Sequence, residues 1–232
     1  MYNFGRGRQE RDGPELFLAK LTNGKPIDYY AQHIKNLAIL GGFSKIETVN
    51  RVLAICTGVE NLVLLAPCHV DLFKNPSAGC NLRRLTINLG RQFDSMPNFS
   101  HSCFANLTHL HLWDDDEDWV FYTGWENLTS LTHLALACSG SPAQVRKLTQ
   151  KLPTVRYVAL GYYCSGDKYK YADVTVNNES HVRRAWGVQV VLLGEIPEYD
   201  WERGARGESD FWNVVERELE RRVGEGSVDS VD

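Results

Sequence analysis

A short pattern of apolar and polar positions recurs six times along the chain. In each copy an apolar residue is followed by two variable positions, a second apolar residue, one variable position and a third apolar residue. The central apolar positions, which lie 23 to 25 residues apart, are Leu37, Leu62, Leu85, Leu110, Leu134 and Val158. Because the last two apolar residues of each copy are two positions apart, they point to the same face of an extended chain. The pattern predicts six strands lying side by side in a parallel sheet with a shared apolar interior.

The spacing of the copies indicates the kind of repeat. A period of 23 to 25 residues falls within the roughly 20 to 29 residues of leucine-rich repeats. A further apolar run, Val188 to Leu193, predicts a seventh strand. We therefore expect an α/β fold, a leucine-rich-repeat solenoid with a parallel sheet of about six to seven strands and a C-terminal capping helix.

The segments that connect the predicted strands differ in their helix signals. Ser44 with Glu47, and Ser141 with Gln144, match helix capping boxes, so these two connections are predicted to be helical. The connections rich in Pro, Gly, Asn and Ser are predicted to be short or irregular, and they run around 67–79, 93–105 and 119–127.

One repeat domain with short ends is predicted. Residues 1–29 are expected to form an N-terminal tail and cap, partly disordered, and residues 30–223 the repeat domain. The repeat lapses near 162–183, where we expect an inserted loop. An apolar stripe that includes Phe211, Val215 and Leu219 predicts a helix over 210–223, which caps the exposed end of the solenoid. Residues 224–232, rich in Gly, Ser and acids, are predicted to be a disordered tail.

Composition is typical of a folded soluble protein, with 43% apolar and 23% charged residues. The N-terminus is polar and no apolar stretch approaches the length of a membrane-spanning helix, so we expect a cytoplasmic location, with the nucleus as an alternative, and no membrane partner. A net charge of -4 argues against a nucleic-acid partner. The six cysteines have no zinc or disulfide spacing. We expect no cofactor, and a monomer when no partner protein is bound.

The residues beside the inward-facing pairs point to the opposite face of the predicted sheet, which is concave in a solenoid. Polar and aromatic side chains gather there on the third to sixth strands: Arg84, His109, His111, Trp113, His133 and Tyr157. We interpret them as a partner-binding surface, because arginine and aromatic residues are enriched at interface hot spots. The competing interpretation is a merely solvated sheet face. Edge and loop positions added to this surface are Asp114, Asp115, Asp116, Tyr163 and Tyr169.

The same face supports a second hypothesis, a metal-binding or hydrolytic protein built on a metal site. His109, His111 and His133 are predicted to lie close together beside the acidic run Asp114 to Asp118, and imidazoles with carboxylates suit Zn²⁺. The Leu-Thr-His-Leu phrase belongs to the repeat itself, so a role in the repeat is the competing interpretation. No nucleophile elbow, phosphate-binding loop or His-Glu-x-x-His motif occurs. We therefore assign no catalytic residue and do not expect an enzyme.

Several phrases of the sequence carry a resemblance to a known family. They are YAQHIKNLAI (30–39), NLTHLHLW (106–113), SLTHLALA (130–137), Asp200-Trp201 and GARGESDFW (204–212). Over residues 30–222 the chain resembles the leucine-rich-repeat part of F-box-like proteins from mushroom-forming fungi. The resemblance implies a module that recruits target proteins to a ubiquitin ligase. No F-box pattern is evident in the 33 residues before Ile34, so a truncated relative with no retained partner is a third hypothesis.

Overall fold

The strands of the protein, as seen in a computed structural model, pair into a parallel β-sheet. The structure describes residues 13–40, 46–66, 81–88, 98–113, 119, 121–137, 142–162, 190–195 and 200–226. Seven strands follow one another in the sheet in the order of the chain, with parallel pairings. The strands are β1 (Asn36–Ile39), β2 (Asn61–Leu64), β3 (Arg84–Ile87), β4 (His109–Leu112), β5 (His133–Ala137), β6 (Tyr157–Tyr162) and β7 (Val190–Glu195). The predicted α/β class, the parallel sheet and the seventh strand are confirmed.

The chain divides into two compact units. Among the described residues, those up to Leu131 form the first unit and those from Thr132 onward form the second. The first unit therefore carries β1 to β4, and the second carries β5 to β7.

Within each unit the strands pair in the register that the repeat predicts. The aligned central residues are Leu37, Leu62, Leu85 and Leu110 in the first unit, and Leu134 and Val158 in the second. All six side chains are buried. A slip of one residue would turn every inward leucine to the opposite face, so burial of these side chains fixes the register.

Helices α1 (Gly13–Asn23), α2 (Ile27–His33) and α3 (Ile46–Ile55) belong to the first unit. The capping box after β1 correctly predicts α3. Helix α1 and the start of α2 lie in residues 1–29, the segment that was expected to be tail and cap, and α2 continues into the predicted repeat domain. No helix was predicted at either place. Helix α1 packs against α3 and buries Phe17 and Leu21, which are four residues apart on one helical face. Residues 13–23 are therefore a packed part of the unit.

The connections that lead into β4 and β5 are irregular, as predicted, and aromatic side chains fill them. They contain the short 3-10 helices Ser102–Phe104 and Trp125–Asn127. The ring centroid of Phe99 lies 5.4 Å from that of Phe104 and 4.6 Å from that of Trp125. The backbone N–H of Phe99 also donates to the carbonyl of Thr123 at 2.9 Å. Neighbouring connections are thus joined by both ring packing and a backbone hydrogen bond.

The second unit contains helices α4 (Pro142–Lys151), α5 (Asp200–Ala205) and α6 (Phe211–Gly226). Helix α4 follows β5, as its capping box predicts, and buries Val145 and Leu148. Helix α6 corresponds to the helix predicted over 210–223. It extends to Gly226, so residues 224–226, which were expected to belong to a disordered tail, are helical.

The C-terminal helix α6 lies on the face of the sheet. From the sequence it was predicted to cap the end of the solenoid. It contacts β6 and β7. One buried cluster joins the two elements: Ala135, Ala159 and Val191 of the strands with Phe211, Trp212, Val215 and Leu219 of the helix. The small side chains of Ala135 and Ala159 leave the room that two large aromatic rings need in a close-packed layer. The helix thus covers part of the sheet face of the second unit, and its role as an end cap stays a prediction.

Candidate interaction surface

Four polar residues form a line across the sheet face of the first unit, and we call them the polar column. They are Asn36, Asn61, Arg84 and His109, the first residues of β1 to β4, aligned by the strand register. Each is half-buried. Neighbouring strands are about 4.8 Å apart, so the column places four polar side chains on one face at regular intervals. It includes two of the residues predicted to bind a partner, Arg84 and His109.

Hydrogen bonds orient the side chains at both ends of the polar column. Asn61 Nδ2 donates to Asn36 Oδ1 at 2.5 Å. At the other end, the hydroxyl of Thr108 donates to the carbonyl oxygen of Arg83 at 2.9 Å. Since that hydroxyl has one hydrogen, His109 Nδ1, which lies 2.9 Å from Thr108 Oγ1, is the donor in their contact. The imidazole of His109 is thereby held in one orientation.

Charged residues occupy three of the four positions that directly precede strands β1 to β4. The four positions are Lys35, Glu60, Arg83 and Thr108. Lys35 Nζ lies 3.4 Å from Glu60 Oε1, and both side chains are more than a third exposed. The carbonyl of Glu60 accepts the backbone N–H groups of Arg83 and Arg84 at 2.8 and 3.0 Å. Backbone hydrogen bonds thus fix where these charges stand.

The ring of His111 is packed within the sheet and is not accessible to a partner protein. Its exposure is 3%, and burial lowers its pKa from 6.5 to about 3, so the ring is neutral. Its Nδ1 lies 3.5 Å from the Thr86 hydroxyl, and its ring centroid is 5.4 Å from that of Trp113. The side chain of Asn88 donates to the carbonyl of Trp113 at 2.9 Å. Trp113 is half-buried and remains a candidate contact residue.

In the second unit, His133 and Tyr157 are packed beneath the chain's own helix α6. The two rings stack at 4.4 Å with an angle of 12° between their planes, and the ring of Trp212 meets His133 edge-on at 5.4 Å. Nε2 of His133 lies 3.0 Å from Glu216 Oε1, so the imidazole donates to that carboxylate. Both residues were predicted to bind a partner protein. In the structure these side chains lie against α6, because the helix covers this part of the sheet face.

Two buried carboxylates fix the start of α6. Asp210 caps the helix: its Oδ1 accepts the backbone N–H of Asn213 at 3.3 Å, and its own N–H donates to Asn213 Oδ1 at 3.0 Å. Oδ2 of Asp200 accepts the backbone N–H of Phe211. Burial raises the pKa of Asp200, the hydrogen bond from Phe211 opposes that rise, and the nearby charge of Asp210 adds to it. The side chain of Arg203 lies 3.9 Å away and lowers the pKa.

Arginine side chains fix the other end of α6. Nη1 of Arg222 donates to the carbonyl of Val190 at 2.8 Å, which joins the helix to the first residue of β7. Arg221 and Arg222 each donate to Glu218 at 2.8 Å. The hydrogen bonds to Arg221 and Arg222 lower the pKa of Glu218 from 4.5 to about 2, although its partial burial acts in the opposite direction. Helix α6 is therefore held by polar contacts at both ends as well as by its apolar face.

The remaining predicted site residues lie outside the described residues: Asp114, Asp115, Asp116, Tyr163 and Tyr169. The acidic run to Asp118 falls there too, as does the predicted loop near 162–183 from residue 163 onward, while Tyr162 is the last residue of β6. Of the three histidines in the metal hypothesis, His109 belongs to the first unit and His133 to the second. The ring of His111 is buried beside Thr86. The metal hypothesis stays a prediction.

Sequence reasoning missed the charged residues that precede the strands. Lys35, Glu60 and Arg83 hold one register position, immediately before the polar column, so the repeat alignment contained the signal that would have found them. Only the strand positions themselves were assigned to the surface. The position before each strand was therefore not considered.

Comparison with known proteins adds no relative. The chain matches none of the models of known protein families, and no curated protein matches it. The resemblance to F-box-like proteins stays a prediction. Among the described residues, no helix combines the length and the apolar character that crossing a membrane requires. Fold and surface together define an α/β protein with a parallel sheet, whose first unit presents a polar column and whose second unit covers the equivalent face with its own helix.

Proposed function

We propose that the chain is a protein-interaction module, a leucine-rich-repeat solenoid that binds a partner protein through the sheet face of its first unit. The single observation that carries the proposal is the polar column, four half-buried polar residues aligned on consecutive strands. The proposed binding surface consists of the polar column and Trp113. It is smaller than the surface predicted from the sequence, because α6 packs over His133 and Tyr157. In the form that the resemblance implies, the bound protein is a target for a ubiquitin ligase.

The way these side chains are held supports a role in binding. Each column residue begins a strand whose backbone is paired with its neighbours, so partner binding orders little additional backbone. Asn36, Asn61 and His109 are further oriented by side-chain hydrogen bonds. Arginine and tryptophan, which Arg84 and Trp113 supply, are enriched at the centres of protein interfaces. A surface that is already ordered loses less free energy when a partner docks on it.

A steric block of the column tests the proposal. In Asn61→Trp a large ring replaces an amide in the middle of the column, whatever the chemistry of the partner. Arg51→Trp is the matched control, because Arg51 is exposed on α3 of the same unit. Each protein is immobilised and used to capture proteins from an extract of the source cells, after circular dichroism has established that all three are folded.

We expect a protein that is captured by the wild-type chain and by Arg51→Trp and is lost with Asn61→Trp. Capture that survives Asn61→Trp unchanged would place the binding surface elsewhere and refute the proposal. If the wild-type chain captured no protein above a blank matrix, the hypothesis of a truncated relative without a partner would replace it.

A further inference from the structure

We infer that the exposed face of helix α4 is a second interaction surface, which binds an acidic segment of a partner protein. The inference goes beyond the proposed function, because α4 belongs to the second unit and the polar column to the first. Helix α4 carries three cations and no acid, and the cations are Arg146, Lys147 and Lys151. Each of the other described helices contains at least one acidic residue.

The three cations lie on one side of α4. A helix turns by about 100° per residue, so Arg146, Lys147 and Lys151 fall within an arc of about 140° of its surface. All three side chains are exposed. Val145 and Leu148 are buried on the opposite side, where the helix packs on its own unit. The cations therefore face solvent together.

The charged groups of α4 have no counterion in the part of the chain that the structure describes. There, no carboxylate lies within 4 Å of them, and their side chains donate no hydrogen bond. The arginines of α6 differ in this respect, since Arg221 and Arg222 both donate to Glu218. A carboxylate of a partner can therefore pair with the cations of α4 without displacing a contact within the described chain.

The stability of the helix accounts for one of the three cations. A cation in the last turn interacts favourably with the helix dipole, which explains Lys151. Arg146 and Lys147 stand in the middle of the helix, outside the range of that effect. Lys147 also repels Lys151, because like charges four positions apart on a helix are neighbours. Carboxylates of a partner would relieve this repulsion.

The size of the surface favours an acidic protein segment over a nucleic acid or a membrane. The ten residues of α4 form a helix about 15 Å long. Its three cations are fewer than the roughly 6–10 phosphate contacts of a typical DNA-binding protein, or the roughly 4–8 basic residues of clusters that bind anionic lipids. The chain's net charge of -4 adds repulsion towards both of these extended polyanions. Lys147 and Lys151 are about 6 Å apart along the helix axis, and glutamates four positions apart on a partner helix have the same spacing.

A labelled alanine-based helical peptide with glutamates four positions apart tests the inference by fluorescence anisotropy, with the same peptide carrying glutamines as the control ligand. We expect the glutamate peptide to bind the wild-type chain, and to bind it more tightly at low salt than at physiological salt. Its affinity should fall about three- to tenfold in Lys147→Gln/Lys151→Gln, as the loss of two exposed ion pairs implies. Lys147→Arg/Lys151→Arg keeps both charges and should bind as the wild type does. Lys20→Gln/Arg51→Gln, which removes two exposed cations from α1 and α3, should have no effect.

Equal affinity of the glutamate peptide for wild type and for Lys147→Gln/Lys151→Gln, with both proteins folded by circular dichroism, would overturn the inference. Binding of the glutamine peptide as tight as that of the glutamate peptide would do the same. Should the double variant fail to fold, unchanged affinity in Arg146→Gln refutes the site. If a single-stranded oligonucleotide or anionic vesicles bound more tightly than the peptide, and the double variant lost that binding, the surface would belong to another class of partner. None of these results depends on Asn61→Trp, which tests the proposed function separately.

Discussion

Truncation of Trp212 to alanine measures how strongly α6 is bound to the sheet face. Trp212 is 5% exposed and lies in the cluster formed with Ala135, Ala159 and Val191. Its ring also packs edge-on against His133, 5.4 Å away. Removing a buried aromatic side chain of this size lowers the free energy of unfolding by about 3–5 kcal/mol, because apolar contacts are lost and a cavity remains. For a chain of this length that corresponds to a fall of roughly 6–20 °C in the melting temperature.

Urea denaturation followed by far-ultraviolet circular dichroism is the suitable assay, since the substitution removes a fluorescent residue. The matched control is Val214→Ala on the same helix, where the side chain is 45% exposed and the expected change is below about 0.5 kcal/mol. If α6 only capped the end of the sheet and met solvent on the side of Trp212, both variants would lose less than about 1 kcal/mol. That result would refute the packing of α6 on the sheet.

Three further substitutions test single contacts of the structure. Glu218 has its pKa lowered from 4.5 to about 2, so the stability that it contributes is complete above pH 4.5 and is lost as the pH falls towards 2. The difference in unfolding free energy between wild type and Glu218→Gln should therefore disappear across that interval. The pKa of Asp200 is raised, chiefly by burial, so its ionised form costs stability that acidification restores. Asp200→Asn retains an oxygen acceptor for Phe211, and we expect its unfolding free energy, measured in urea, to exceed that of wild type at neutral pH and to converge at acid pH. Gly124 has φ +77, and a Cβ there would lie 2.5 Å from Asn98 Oδ1. Gly207 has a similar φ of +78, but a Cβ there would have nothing within 4 Å. Gly124→Ala should therefore lower the melting temperature by more than Gly207→Ala does.

The strands and their register could be predicted because each repeat encodes them locally. The inward residues, such as Leu110 and Leu112, are two apart in every copy, and burial of one face then leaves a single register. Helices α3 and α4 were predicted for the same reason, since a capping box and an apolar stripe both lie within one connection. Helix α1 was missed although Phe17 and Leu21 stand on one helical face, because polar sequence precedes it and no repeat encloses it.

The position of α6 could not be predicted in the same way. An apolar stripe such as Phe211, Val215 and Leu219 indicates that one face of a helix is buried, but it does not say against which partner. The strand sequences nevertheless indicated the surface against which α6 packs. Ala135 and Ala159 occupy the register position at which the neighbouring repeats carry larger side chains, and small residues are what a helix with two aromatic rings requires. The signal was a decrease in side-chain size at one register position of the repeat.

The two units show how the same face of a repeat sheet can make different contacts in different repeats. Burial constrains the inward pair of every strand, whereas the outward positions are constrained only by what covers them. In the second unit, strands β5 and β6 begin with His133 and Tyr157, whose rings stack beneath α6, and His133 donates to Glu216. In the first unit the strands begin instead with Asn61, Arg84 and His109, which keep part of their surface exposed. Asn36, Asn61 and His109 make hydrogen bonds within the protein and keep part of their surface exposed. Under the proposed function, the partner would make its polar contacts with the exposed part of these side chains.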